Sequence, residues 1–268
     1  MRLTGERPIE GKTPDSLLAL HAAGYREVLA RIGPGRLLDL GCGLGDGSAR
    51  FVAPGRRVTG VDYDPATAAL ARELHPDLLT TCSDAAALAV RGARFDWVCS
   101  SHLIEHFRDP SRHVAEVSRV LADDGAAFFI TPNAPADFEN PYHVHLFEPD
   151  DLHDALGRSF GAVEVWGLDG DAAVKADFER RRRWARRLLA VDVWDVRHRL
   201  PREWYVRLHA TARRMAYPAL ATAERVRRRT PPPAITEDRF ALTPSIDAST
   251  LVLFAVARQP KRQAQPGP

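Results

Sequence analysis

An apolar run leads into a glycine-rich turn in the segment Leu37-Leu38-Asp39-Leu40-Gly41-Cys42-Gly43-Leu44-Gly45-Asp46-Gly47. Glycines in such a turn allow positive φ angles and let the backbone approach a ligand closely. The N-terminus of a helix behind the turn offers free N–H groups to an anion. The stretch therefore predicts a strand, a binding loop for a nucleotide-type ligand and a helix, in that order.

On both sides of this loop, short apolar runs alternate with helical patterns. The predicted helices begin at Thr13-Pro14 and cover 65–74, 110–121 and 148 to about 160. The predicted strands are 36–40, 57–61, 78–82, 95–100, 126–131, 162–167 and, near the end of the chain, 250–258. Alternation at this spacing is typical of a parallel sheet that is covered by helices on both faces.

Two acidic residues follow the next two predicted strands. Asp62 stands 21 residues after Gly41, where a carboxylate can accept hydrogen bonds from both hydroxyls of a ribose. The structural alternative is a turn residue before Asp64-Pro65. Asp84 follows the third strand, where it either accepts a hydrogen bond from an adenine amino group or caps a helix.

The glycine spacing separates two candidate cofactors. It is G-x-G-x-G rather than the G-x-G-x-x-G of dinucleotide sites, and Asp39 stands two residues before the first glycine. A pyrophosphate gains nothing from a nearby carboxylate, whereas S-adenosylmethionine carries a cationic sulfonium and a cationic ammonium group. The acidic lining favours S-adenosylmethionine over NAD.

Together with Phe95 to Ser100, Glu105 to Pro110 and Glu116 to Leu121, these motifs make the chain resemble the class I S-adenosylmethionine-dependent methyltransferases of the small-molecule branch. The resemblance covers about residues 30–168 and the last strand. It implies an α/β, Rossmann-like sheet of seven strands, mostly parallel, whose antiparallel last strand is inserted beside the fifth. It also implies S-adenosylmethionine as the cofactor. The implied cofactor-binding residues are Asp39, Gly41, Cys42, Gly43, Gly45, Asp62, Tyr63, Asp84, Ala85 and Ser100.

Histidines follow the fourth and fifth predicted strands, where ligands of such sheets bind. The candidates for catalysis are His102, His106, His143 and His145. His106 is the first candidate for the general base that removes a proton from the acceptor, and its alternative role is a structural cap of the following turn. His143 and His145 alternate, so an extended backbone would place both on the same side.

A divalent metal is an alternative use of the same residues. Some family members have Glu-x-x-Glu-His after the fourth strand and bind a metal through it, whereas His102 replaces the first glutamate here. We expect no metal, with the histidines hydrogen-bonding a polyol substrate or each other. The alternative is a cation held by His102, Glu105 and His106.

The net charge of the 268 residues is +2, but it is unevenly distributed. Residues 171–230 contain 17 basic and seven acidic residues, a net charge of +10, so the remainder carries −8. We predict a methyltransferase domain over 1–170 and 245–260, an Arg-rich helical insertion over 171–244, and a disordered tail over 261–268. The insertion is expected to close over the substrate, to bind a phosphorylated or nucleotide-linked sugar, to contact an anionic membrane surface, or to be a solvated helical face.

The leading hypothesis is an enzyme that methylates a hydroxyl on a small-molecule, sugar or glycan, or lipid-linked acceptor. The alternatives are a nucleic-acid methyltransferase that uses the basic insertion, and a membrane-associated protein that keeps the cofactor site without turnover. Nucleic acid is disfavoured because Thr131-Pro132-Asn133-Ala134-Pro135 lacks an Asn/Asp-Pro-Pro-Tyr motif. Three cysteines without metal or disulfide spacing predict reduced core thiols. The sequence has no apolar stretch of about 20 residues, which favours a cytoplasmic protein, with peripheral contact to the inner face of the membrane as an alternative.

Overall fold

The computed structural model describes residues 13–137, 142–190 and 234–262. Eight strands in this part of the chain form a single sheet. They are β1 (Gly35–Leu40), β2 (Arg56–Asp62), β3 (Leu79–Cys82), β4 (Phe95–Ser101), β5 (Leu121–Pro132), β6 (Phe160–Gly170), β7 (Phe240–Thr243) and β8 (Val252–Pro260). Their order across the sheet is β3-β2-β1-β4-β5-β8-β6-β7.

The described helices are α1 (Asp15–Leu29), α2 (Asp46–Ala49), α3 (Pro65–Leu74), α4 (Ser111–Val120), α5 (Pro149–Gly157) and α6 (Ala172–Ala190). Short 3₁₀ turns cover Ile104–His106 and Glu237–Arg239. α3 has the bounds that its sequence predicts, with proline at its first position. α4 begins one residue later than predicted, because Asp109 accepts the N–H of Ser111 at 3.0 Å and Pro110 stands before the first turn.

The strand directions confirm the predicted fold class. β1 to β5 are parallel, and β8 lies antiparallel between β5 and β6. The sheet has eight strands instead of seven, because β7 adds an antiparallel edge to β6. β7 has only four residues and lies within the range predicted as a helical insertion, so no periodic pattern marked it in the sequence.

The alternation of side chains along each strand sends apolar groups to two cores on opposite faces of the sheet. Leu37 packs against α1, whereas Leu38 packs on the other face with α4 and α5. Asp39 is next in this alternation and therefore points to the α1 face. Full burial of a leucine contributes about 1.5–3 kcal/mol to stability. The apolar neighbours thus fix the direction of this one carboxylate.

Parts of the sequence predictions lie outside the described residues. They include the insertion over 191–233 with Trp194, Trp204 and Tyr205, and the tail from 263 onward. Among the described helices, none is both long enough and apolar enough to cross a membrane. Cys42 and Cys99 are buried as predicted, but Cys82 is exposed because β3 is an edge strand.

Candidate active site

The glycine-rich turn lies between β1 and α2 and has the backbone that its sequence predicts. Gly41, Gly43 and Gly45 have φ angles of 74°, 57° and 90°. Side chains with a Cβ rarely adopt these angles, so the turn requires glycine at these positions. The N–H of Gly43 donates to the Asp62 carboxylate at 3.1 Å, which ties the turn to the end of β2.

Asp39 is a fully buried carboxylate beneath this turn. Its Oδ2 accepts hydrogen bonds from the Tyr25 hydroxyl, at 3.2 Å, and from the Ser48 hydroxyl. Its Oδ1 has no hydrogen-bond partner among the described residues. Burial raises the pKa of Asp39 from 3.8 to about 6, although the hydrogen bonds from Ser48 and Tyr25 oppose the rise. A cation close to Oδ1 would relieve the cost of burying this charge.

These features fit the cationic cofactor that the resemblance implies. The glycine turn admits a ligand close to the backbone, and Asp39 has an oxygen left for a positive group. Asp62 ends β2 with its two oxygens on the N–H groups of Gly43 and Asp64, and is 4% exposed. These two hydrogen bonds hold the Asp62 carboxylate beside the glycine turn, where the sequence predicts that it binds a ribose.

The other predicted cofactor residues are placed as follows. Cys42 is buried beside Gly60, and Tyr63 is 60% exposed just beyond Asp62. Asp84 is exposed and accepts the N–H of Ala86, while Ala85 is buried. Ser100 is fully buried and its hydroxyl bonds the ring of His113 at 2.9 Å. That hydroxyl is engaged away from the turn, so Ser100 contributes to the packing beneath the site.

A second group of polar side chains lies around Glu105, in the 3₁₀ turn after β4. Glu105 is 1% exposed, and its Oε2 accepts the Thr131 hydroxyl at 3.1 Å. Its Oε1 has no hydrogen-bond partner in the described part of the chain. The nearest ring nitrogens to Oε1 are His102 Nδ1 at 3.6 Å and His143 Nε2 at 4.0 Å.

The charge of Glu105 is stabilised by these rings. Burial alone would raise the pKa of Glu105, but the nearby rings of His102, His106 and His143 hold it at about 2. The carboxylate therefore stays ionised at neutral pH. We call Glu105, His102, His106 and His143, with His21, the histidine cluster.

Two of these histidines are oriented by acceptors on their Nδ1 side. His106 Nδ1 lies 2.9 Å from the Tyr142 carbonyl, and His143 Nδ1 lies 2.7 Å from the Asp137 carboxylate. Both acceptors require a proton on Nδ1, which leaves the lone pair on Nε2. The two rings meet edge to face, with centroids 5.3 Å apart.

The structure separates His145 from this cluster. The N–H groups of Val144 and His145 both donate to the Glu105 carbonyl, at 2.9 and 3.1 Å, so the backbone bends at this point. The ring of His145 packs on Phe147, with centroids 4.4 Å apart. The prediction that His143 and His145 share one side assumed an extended segment and is wrong.

His102 belongs to the cluster and has an unusual backbone. Its φ is 50°, in the left-handed region that residues other than glycine seldom adopt. Its ring packs against His21 of α1, with centroids 4.0 Å apart. The pKa of His21 lies well below 6.5, first because of burial and then because of the charges of His102 and His143. His21 is therefore neutral and can hydrogen-bond without adding charge.

The glycine turn lies next to the segment that carries the histidine cluster. A Cβ on Gly41 would lie 3.1 Å from the side chain of Leu103, next to His102. α1 also connects them, because Tyr25 reaches Asp39 and His21, one helical turn earlier, reaches His102. Leu103 and α1 therefore link the glycine turn to the segment that carries the histidine cluster.

Sequence reasoning missed five residues of this arrangement, namely His21, Tyr25, Ser48, Thr131 and Asp137. Tyr25 carried only the apolar periodicity of α1, and His21 lies outside the motifs after the strands. The four-residue spacing from His21 to Tyr25 was the available signal, because it places both on one helical face. Nothing in the sequence pairs Asp137 with His143.

The comparisons with known proteins agree with this geometry. A family model described as a methyltransferase domain matches residues 38–129. A protein of Mycolicibacterium smegmatis, described as a probable S-adenosylmethionine-dependent methyltransferase, is 31% identical over 218 residues, which cover 73% of this chain and 84% of the relative. The mitochondrial ubiquinone biosynthesis O-methyltransferase of Arabidopsis thaliana is 34% identical over 105 residues, 37% of this chain and 32% of the relative.

A solved structure supports the fold over a greater length. The crystal structure of an S-adenosylmethionine-dependent methyltransferase from Thermotoga maritima, titled a possible histamine N-methyltransferase, has a TM-score of 0.56 to this chain. It is 12% identical, and the match covers 90% of this chain and 92% of that one. With the glycine turn, the buried Asp39 and the similarity to the mycobacterial relative over most of both sequences, the chain belongs to the S-adenosylmethionine-dependent methyltransferases.

Proposed function

We propose that this methyltransferase transfers its methyl group to a hydroxyl oxygen of a small-molecule acceptor. The observation that carries the proposal is the histidine cluster, which the chain places next to the glycine turn, because Leu103, the neighbour of His102, packs against Gly41. A hydroxyl becomes a good nucleophile when a neighbouring group takes its proton, and imidazole is suited to this near neutral pH. The relative from Arabidopsis thaliana, named as an O-methyltransferase, supports oxygen as the acceptor atom.

S-adenosylmethionine, when bound, supplies a methyl carbon that is attached to a positively charged sulfur. The acceptor oxygen would bond to this carbon, and the electrons of the broken carbon–sulfur bond would stay on the sulfur of the departing S-adenosylhomocysteine. The hydroxyl proton passes to a ring nitrogen of the cluster. We assign this role to His106, because its Nδ1 donates to the Tyr142 carbonyl and its Nε2 carries the lone pair. Glu105 stabilises the protonated ring by its charge.

The acceptor class is a sugar or glycan, or a lipid-linked or other small molecule. Several ring nitrogens and a carboxylate offer hydrogen bonds to a polyol. The basic segment that begins in α6 supports an acceptor that carries a phosphate, since residues 171–230 have a net charge of +10. The same positive charge would also favour peripheral contact with an anionic membrane. Such contact would matter only for a lipid-linked acceptor.

Two substitutions separate cofactor binding from proton removal. His106→Ala is expected to lower kcat by about 10²–10⁴-fold, because a general base is lost. It should leave the affinity for S-adenosylhomocysteine unchanged. Asp62→Ala is expected to weaken that affinity by about 100-fold, because the carboxylate that would accept hydrogen bonds from the two ribose hydroxyls of the ligand is lost. Calorimetry with S-adenosylhomocysteine measures the affinities.

The rate is measured as S-adenosylhomocysteine release over a panel of sugars, phosphorylated sugars, polyprenyl-linked sugars and phenols. His153→Ala, at an exposed histidine of α5, is the matched control for the loss of an imidazole. Two results would contradict the proposal. One is release that occurs only with amine or nucleic-acid acceptors, and the other is full activity in the His106→Ala variant.

A further inference from the structure

We propose that Glu105, His106 and His143 form a binding site for one divalent cation of the zinc, manganese, iron or cobalt type. One ligand atom from each of the three residues lies within 4.8 Å of the others. Two imidazoles and one carboxylate form a donor set that these cations bind more readily than Mg²⁺ or Ca²⁺. The sequence predicted His102 as the third ligand beside Glu105 and His106, and the structure brings His143 to that position instead.

The first supporting observation is the state of the Glu105 carboxylate. It is 1% exposed, and its Oε1 receives no hydrogen bond from any described residue. Leaving a buried carboxylate oxygen without a hydrogen-bond partner is costly. Ring nitrogens at 3.6 and 4.0 Å are too far away to replace a hydrogen bond. A cation between Oε1 and the two rings would satisfy this oxygen directly.

The second observation is the outer partners of the three candidate ligands. Metal-binding histidines almost always donate their second ring N–H to a carboxylate or a carbonyl. His143 does so to Asp137 at 2.7 Å, and His106 does so to the Tyr142 carbonyl at 2.9 Å. Thr131 holds the remaining oxygen of Glu105 at 3.1 Å. Each ligand is thus already oriented by a second group on its far side.

The third observation is charge. The Glu105 and Asp137 carboxylates together balance the charge of a divalent cation, and both are largely buried. Bonds of about 2.0–2.2 Å to such a cation place neighbouring ligand atoms about 3.3 Å apart. The side chains therefore have to approach each other by about 1–1.5 Å, a shift that rotation of the side chains can supply.

This inference rests on the proposed function and deepens it. Three protein ligands leave coordination positions open, as in catalytic metal sites. A cation in that position lowers the pKa of a hydroxyl that binds to it. His106 Nε2 would then bind the cation instead of taking the proton, so the cation would replace His106 as the group that activates the hydroxyl.

The test is a titration of the full-length chain, after treatment with EDTA, with ZnCl₂ by calorimetry and with CoCl₂ by visible absorption. We expect one equivalent to bind, with cobalt absorption typical of nitrogen and oxygen ligands. Glu105→Gln and His143→Ala should each weaken zinc binding at least about 10-fold, and Asp137→Asn, which acts through His143, by about 10–100-fold. His145→Ala and His153→Ala are matched controls that should bind zinc normally.

Circular dichroism and S-adenosylhomocysteine affinity verify that each variant is folded. Binding of less than half an equivalent, or a Glu105→Gln variant that binds zinc as well as the unaltered chain, would overturn the inference. The two proposals can fail separately. EDTA-treated protein that methylates a hydroxyl acceptor at the full rate excludes the cation and leaves the proposed function intact. If the chain binds zinc tightly but methylates only amines, the proposed function is wrong and the cation site stands.

Discussion

At the scale of single residues, Asp39 combines two opposing requirements. Its carboxylate is buried, and one of its oxygens has no hydrogen-bond partner in the part of the chain that the structure describes, which costs stability. The same carboxylate provides the negative charge that a cationic cofactor needs. The sequence already placed an acidic residue two positions before the first glycine. It did not reveal Tyr25 and Ser48, which hold the other oxygen, because hydrogen bonds between distant segments leave no periodic signal.

The pH dependence of stability follows from the pKa of Asp39. Its pKa is about 6 in the folded chain, above the ordinary 3.8, so the folded state binds the proton more tightly. Stability is then greatest below pH 3.8 for this group and falls as the pH rises to about 6, by at most about 3 kcal/mol. Asp39→Asn should flatten the profile between pH 4 and 6 and weaken S-adenosylhomocysteine binding.

Urea unfolding at several pH values measures this effect. Glu105 does not obscure it, because its pKa is lowered to about 2, and the stability it contributes is present above 4.5 and lost only as the pH falls towards 2. An Asp39→Asn variant whose stability falls between pH 4 and 6 as steeply as that of the unaltered chain would refute the assignment.

At the scale of elements, the sequence predicted the alternation of strands and helices well and the irregular segments poorly. The glycine turn, α3 and the parallel strands follow from local patterns that persist in the structure. β7 was missed because four residues give too short a pattern to detect. His143 and His145 were misjudged because backbone bonds to the Glu105 carbonyl bend their segment. The sequence predicted that these histidines follow the strands. It could not predict which of their rings meet, because that depends on the conformation of irregular segments.

The packing of α1 on α2 gives an element-scale prediction. A Cβ on Gly47 would lie 2.3–2.7 Å from the ring of Tyr25, so Gly47→Ala has to displace that ring and its bond to Asp39. We expect a loss of about 1–3 kcal/mol in the free energy of unfolding and weaker cofactor binding. Gly157→Ala, in α5, is the control, because nothing lies within 4 Å of its Cβ.

Chemical unfolding of both variants decides the point. Gly157→Ala should be neutral or stabilising by up to about 1 kcal/mol, since alanine restricts the unfolded chain and favours the helix. If Gly47→Ala is as stable as the unaltered chain and binds S-adenosylhomocysteine normally, Tyr25 is not confined against α2 in the way described.

At the scale of the whole molecule, α1 joins parts of the chain that are far apart in sequence. It contacts the glycine turn through Tyr25, the histidine cluster through His21 and the start of β7 through Arg26. Asp171 at the start of α6 pairs with Arg239 just before β7, at 2.7 Å. Asp171 and Arg239, which lie on either side of residues 191–233 in the sequence, are therefore held side by side near β7.

Arg26 provides the test of this long-range connection. Its guanidinium donates to the carbonyls of Glu237 and Phe240, the latter at 2.7 Å. Arg26→Ala should lower the free energy of unfolding by about 1–3 kcal/mol, because charge-assisted hydrogen bonds to two carbonyls are lost. Arg31→Ala, on the exposed pair with Glu27, is the control and should cost less than about 1 kcal/mol.

Urea unfolding gives the difference in stability, and hydrogen exchange of β7 locates it. Faster exchange in 240–243 of the Arg26→Ala variant is the expected pattern. Equal exchange in both variants would show that α1 does not hold this edge in place.

The position of β8 affects how the chain is synthesised as well as how it is held together. β8 follows every other strand in sequence yet lies between β5 and β6. A ribosome therefore produces β5 and β6 well before the strand that joins them. During that interval each leaves an open edge that can pair with another nascent chain. The sheet closes as one unit only when β8 emerges, so the parallel half cannot complete its core during translation of the preceding segments.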